Sequence, residues 1–152
     1  MKNFKRVTGI LILVLIIAQF FHPKKNEGDM SSIESFITET NAPDAVHTIL
    51  KKACFDCHSN KTRYPWYNNI TPVNFVIANH VNEGKEELNF SDWVTYSSKR
   101  KAHKIEKIRE EVEKRKMPLS SYTLIHTDAR LTEQEVQQIV DWTKSVENNY
   151  KN

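Results

Sequence analysis

An all-α domain of roughly four helices with long loops is the fold class this sequence predicts. Three observations lead there. Apolar residues recur at helical spacing in several stretches, capping residues stand where those stretches begin, and no segment shows the alternation of a half-buried strand. The 152 residues suit one compact domain plus a short extra segment. At 39% hydrophobic and 27% charged, the chain is polar but not disordered.

The N-terminal stretch stands apart. "MKNFKR" is basic, and "VTGILILVLIIAQFF" (7–21) is a near-continuous apolar run. A run of about 15 residues lies between the apolar core of a signal peptide and a span of roughly 20. Residues 1–22 are therefore expected to be a signal peptide or membrane anchor. No well-placed small residues follow for cleavage, and no cysteine follows for lipoprotein processing. This favours an uncleaved anchor with Lys2, Lys5 and Arg6 inside; a cleaved signal is the alternative. Either way the domain is expected to face the periplasm. It is anchored to the inner membrane by residues 7–21, or is secreted if the segment is cleaved. Setting aside its three basic residues leaves 19 basic residues against 19 acidic ones, so composition gives no support to nucleic-acid binding.

Residues 23–40 read as a linker, in which "IESFIT" is either a helical turn through Ile33, Phe36 and Ile37 or plain tether. The domain proper is expected over 41–150. Its first helix begins near "NAPDAV", with Asn41 as cap and Pro43 in the first turn. Val46, Ile49, Leu50 and Ala53 form the apolar face and lead into Cys54, Cys57 and His58. After the aromatic loop "TRYPWYNNITP" (62–72), a second helix carries the stripe Val73, Val76, Ile77, His80 and Val81, ended by Gly84. "NFSDW" suggests a helix start capped by Ser91. The charged segment "SKRKAHKIEKIREEVEKRK" buries only Ala102, Ile105, Ile108 and Val112. Its cluster Lys99, Arg100, Lys101, Lys104 and Lys107 is read as a solvated face rather than a docking patch. Met117-Pro118 breaks this helix, and "MPLSSYTLIHTDAR" follows as a loop. The last helix has a capping box, Thr132 with Glu135, and a staple, Leu131 with Val136. Val136, Ile139, Val140, Thr143 and Val146 face inward, with Trp142 at the edge.

The only two cysteines stand in Cys54-Phe55-Asp56-Cys57-His58. This is a C-x-x-C-H attachment sequence for c-type haem. Two thiols about one helical turn apart can reach the two vinyl groups on one porphyrin edge, and the next residue brings an imidazole beneath the ring. A zinc site would need a second ligand pair. A thioredoxin-like redox pair would need a strand before the motif. Neither is visible.

A second axial ligand must come from elsewhere. Met1 is the initiator and Met30 sits in the linker, which leaves Met117 on its proline-marked loop; a core gap-filler is the ordinary alternative. His80, on an apolar stripe, is the rival ligand, although such a histidine is more often hydrogen-bonded in a core. His47, His103 and His126 are weaker candidates. Tyr64, Trp66 and Tyr67 either pack at the haem edge or simply fill a loop core. Asn82, Glu83 and Gly84 read as a structural turn.

From the attachment motif onward, several blocks in order resemble the small exported bacterial haem-binding domain family, a cytochrome c-like group. They are C-x-x-C-H-S-N, "YPWY", "HVNEG" with "LNFSDW" after it, and Met-Pro before Tyr122. The resemblance covers about residues 40–147. It implies a cytochrome c-like fold with long loops packed around one covalent haem c. It also implies thioether links at Cys54 and Cys57, with His58 proximal and Met117 distal on the iron. The family often carries two prolines after that methionine; Leu119 stands here in the second place.

The expected function is that of a monohaem c-type cytochrome, an electron carrier rather than an enzyme, working with redox partner proteins. The alternative is a haem-based gas sensor or small peroxidase with an open or labile distal position, helped by His80 or His126. Covalent attachment argues against haem delivery.

Overall fold

The computed structural model describes residues 2–151, and among them it is all-helical, with no strand. Its α-helices are α1 (Lys2–Ala18), α2 (Ser31–Glu39), α3 (Asp44–Ala53), α4 (Phe55–His58), α5 (Val73–Glu87), α6 (Ser98–Glu113), α7 (Ser120–Ile125) and α8 (Glu133–Lys151). Short 3-10 turns lie at Trp66–Asn69, Phe90–Thr95 and Thr127–Ala129. The all-α expectation holds, but these eight helices exceed the four expected. The extra ones are short or lie in segments read as loop or linker.

The core is built where α6 lies along α8, α2 covers the turn at Phe90–Thr95, and α3 crosses α8. Phe36 of α2 sits at its centre, with ring centroids 4.6 Å from Phe90, 5.0 Å from Trp93 and 6.1 Å from Trp142. Edge-on aromatic packing of this kind adds to the area each ring buries. Within the expected linker 23–40, the structure takes the helical reading of "IESFIT" over plain tether: Ile33 and Phe36 are buried, because their spacing puts both on one helical face.

Asn41 does not cap α3. It ends α2 instead, in the left-handed region at φ 45°. Its N–H donates to Thr38 O at 3.2 Å, and the Ala42 N–H donates to Ile37 O at 3.1 Å. These are the two bonds of a Schellman motif, in which asparagine is the usual substitute for glycine. Likewise Ser91 does not cap a helix; Asn89 caps the 3-10 turn by accepting from the Ser91 N–H at 3.0 Å.

On α5 the expected inner stripe is displaced. Val73 and Val76 are exposed, and the buried positions are Asn74 and Val81. Gly84 lies inside the helix rather than ending it. Val81, Gly84 and Leu88 follow one another at helical spacing, and this is the face pressed against the domain.

At the N-terminus, α1 has 17 residues, about 25 Å at 1.5 Å per residue, against a hydrocarbon thickness of roughly 30 Å. Among the described residues, no helix is long and apolar enough to cross a membrane. The expected anchor over 7–21 thus finds no support, for a physical reason: the helix stops at Ala18 and its first turns carry Lys5 and Arg6.

The capping box of α8 forms as expected. The Thr132 N–H donates to Glu135 Oε2 at 2.9 Å, and the Glu135 N–H donates to Thr132 Oγ1 at 3.2 Å. Ile139, Val140, Trp142, Thr143 and Val146 are buried. Thr132→Ala is expected to lower stability by about 1 kcal/mol, read as a lower thermal midpoint.

Candidate functional site

The site begins where α3 passes into α4. The Cys54 N–H closes α3 on Leu50 O at 2.9 Å. The N–H groups of Cys57 and His58 both donate back to Cys54 O, at 3.2 and 3.0 Å. This single turn sets the cysteines one above the other. Both thiols are free. Burial pushes the Cys54 thiol up to about 12, with Cys57 adding to it. Burial also pushes the Cys57 thiol up to about 11, helped by the Asp56 charge.

The two residues between the cysteines hold the turn in place. Phe55 is buried against Phe90, ring centroids 5.3 Å apart. Asp56 is 7% exposed and meets Arg63 in a fork: Nε reaches Oδ1 and an Nη reaches Oδ2, each at 3.1 Å. Its Oδ2 also accepts from the Tyr122 hydroxyl at 2.8 Å.

Helix α5 packs against α4 at Gly84. A Cβ there would stand 2.7 Å from the Cys57 carbonyl oxygen, so only glycine permits this approach. The approach places two main-chain acceptors beside His58. Its Nδ1 is 2.8 Å from Gly84 O and 3.0 Å from Leu88 O. Facing two carbonyls, Nδ1 carries the proton, and Nε2 is left with its lone pair free. Burial holds the imidazole below its usual range, while the Leu88 and Gly84 carbonyls oppose that shift. A neutral ring with Nδ1–H anchored to backbone is the state in which histidine binds metal.

Two adjoining cavities open beside this ring. The first, about 310 Å³, is walled by Cys54, His58, Leu88, Phe90, Ile108 and Met117, with charged residues of α6 such as Lys104 and Glu111 also lining it. The second, about 230 Å³, is walled by Cys57, His58, His80, Gly84, Met117 and Tyr122. His58 and Met117 line both. The structure therefore brings Cys54, Cys57, His58 and Met117 to one place, with His80 on the second wall. Met30 is engaged elsewhere, its sulfur 3.7 Å from the Ser59 hydroxyl.

The other candidates fall away from the cavities or to their margins. His103 reaches the edge of the first. His47 lies beside Phe55. His126 Nε2 and the Tyr67 hydroxyl share a hydrogen bond at 2.7 Å. Tyr64 accepts from the Asn26 N–H at 2.7 Å, and Trp66 is 75% exposed. Asn82 and Glu83 lie within α5 rather than in a turn. Sequence reasoning missed Asp56, Arg63 and Tyr122, as well as the acceptors on α5. The one available signal was the charge of Asp56 inside the motif with Arg63 seven residues on.

An apolar cleft of this size, a neutral histidine with one nitrogen free and two free thiols one turn apart fit a haem. Fold and site together define a helical haem-binding protein. The family model described as "Haem-binding domain" matches residues 13–145, and the chain belongs to that family. No curated protein and no solved structure matches it.

Proposed function

We propose that this domain is a monohaem c-type cytochrome that carries single electrons outside the cytoplasm. The observation that carries this reading is the setting of His58: Nδ1 is engaged by two main-chain carbonyls while Nε2 is free on a cleft that Met117 also lines. When bound, the haem supplies an iron that alternates between Fe(II) and Fe(III). Cys54 and Cys57 would hold it by thioether links, and His58 Nε2 and the Met117 thioether would bind its iron. A methionine partner favours a higher reduction potential. Leu88, Phe90 and Ile108 give the first cavity an apolar wall. No residue has to give or take a proton, so no general acid or base is needed, and the protein acts on redox partners rather than on a substrate.

Export is supported by the basic start of the chain and by the apolar, solvent-exposed side chains from Ile10 to Ile17. With α1 this short, a signal function fits better than a spanning anchor.

One observation favours a second reading, a gas sensor or small peroxidase: His80 stands on the wall of the second cavity, able to assist an open distal position. Absorption spectra separate the two. In a host that matures c-type haem, the wild type is expected to carry covalent haem, show a far-red methionine-to-iron band and ignore carbon monoxide. Met117→Ala is expected to lose the band and bind carbon monoxide. A wild type that binds carbon monoxide as readily as the variant puts the sensor or peroxidase reading first. Absence of covalent haem rejects both.

A further inference from the structure

This inference rests on the reading of Met117 as a ligand, and it concerns what holds that residue in place. On one side Met117 is fixed by the end of α6. Arg115 turns left-handed at φ 55°, and the N–H groups of Lys116 and Met117 both donate to Glu111 O, at 2.9 and 3.1 Å. On the other side the chain runs into α7, which has no buried residue. Leu124 there is 72% exposed and Ile125 61%. Hydrophobic burial therefore does little to fasten this side of the loop.

A polar contact takes its place. The Tyr122 hydroxyl of α7 donates to Asp56 Oδ2 at 2.8 Å. Asp56 stands between the two cysteines and is itself clamped by Arg63. The His126 ring lies flat on Tyr122, centroids 4.3 Å apart and planes at 14°, and Tyr67 holds His126 in turn. A partly buried hydrogen bond to a carboxylate is among the stronger kinds. It joins the methionine loop directly to the attachment turn.

We propose that the Tyr122–Asp56 hydrogen bond is a latch that keeps Met117 on the cleft it shares with His58, making Tyr122 and Asp56 positioning residues for the distal ligand. The attachment turn and the distal loop are then one mechanical unit, and loosening the bond makes the distal position labile without touching either ligand.

The test uses full-length holoprotein and two exogenous ligands, imidazole for the oxidised form and carbon monoxide for the reduced form. Tyr122→Phe is expected to keep covalent haem and helical circular dichroism. Its methionine-to-iron band should weaken, and its affinity for both ligands should rise about 10- to 100-fold, the worth of one hydrogen bond to a charged group. Asp56→Asn retains a neutral acceptor and is expected to show a smaller rise in affinity. A Tyr122→Phe protein with the wild-type band and wild-type affinities overturns the latch while leaving Met117 as ligand. If Tyr122→Phe yields no holoprotein, Asp56→Asn decides, and wild-type affinities in that variant overturn the latch. A wild type that lacks the band and matches Met117→Ala overturns the ligand assignment, and the latch falls with it.

Discussion

Phe36→Ala is expected to cost about 3–5 kcal/mol of folding stability, the range for removing a fully enclosed phenylalanine. Phe36 is 0% exposed, and Phe90, Trp93 and Trp142 surround it. These three rings come from two separate parts of the chain, so none can move into the space without disturbing the others. A loss this large is a sizeable part of the 5–15 kcal/mol typical of a domain. Chemical denaturation of the purified protein measures it. A loss below about 1 kcal/mol would mean that α2 is a detachable tether and not part of the core. Phe90 also contacts Phe55 and the His58 ring, so the cavity made by the substitution opens one layer behind the site.

Gly84→Ala is the second large effect, and its sign is the informative part. In an ordinary helix interior this change gains up to about 1 kcal/mol, because alanine is the better helix former. Here the added Cβ would meet the Cys57 carbonyl oxygen at 2.7 Å and the Cys57 Cβ at 3.1 Å. Neither is the tip of a flexible side chain, so α4 and α5 must separate. A net loss of about 1–3 kcal/mol is expected, as for other overpacked contacts. The displaced helix also carries the Gly84 carbonyl away from His58. In the chain that retains α1, Gly9→Ala is the control, since nothing lies within 4 Å of a Cβ there. Paired thermal melts check both, and a Gly84→Ala protein melting above wild type would contradict the close crossing.

These two residues mark where the sequence was hard to read. Local signals translated well: the Thr132–Glu135 box, the Ile105, Ile108 and Val112 stripe, and the turn that stacks Cys54 and Cys57 each involve residues within about two helical turns. Asn41 misled because asparagine suits both a helix start and a left-handed helix end, and the choice depended on whether "SSIESFITE" was helical. Gly84 misled in the same way. A glycine late in a helical pattern reads as a stop, whereas its role here is close approach to a segment 27 residues earlier. The α5 face was misjudged because that approach, and not the apolar count, decides which side turns inward. At the site, the motif was legible, but its supports were not. The acceptors for His58 lie 26 and 30 residues away, and Tyr122 meets Asp56 across 66. Pairings of that kind are set by tertiary packing and leave no periodic trace.

The acceptors that orient His58 are oxygens of the main chain, which every amino acid possesses. At position 88, drift in side-chain identity leaves the same carbonyl in place, provided that the helix end keeps its course. The ring's tautomer is thus insulated from most substitutions at that position. The exposure to change is concentrated at position 84, where bulk alone moves the backbone. A lineage carrying this domain can vary much of the surroundings of its histidine while remaining bound to one glycine.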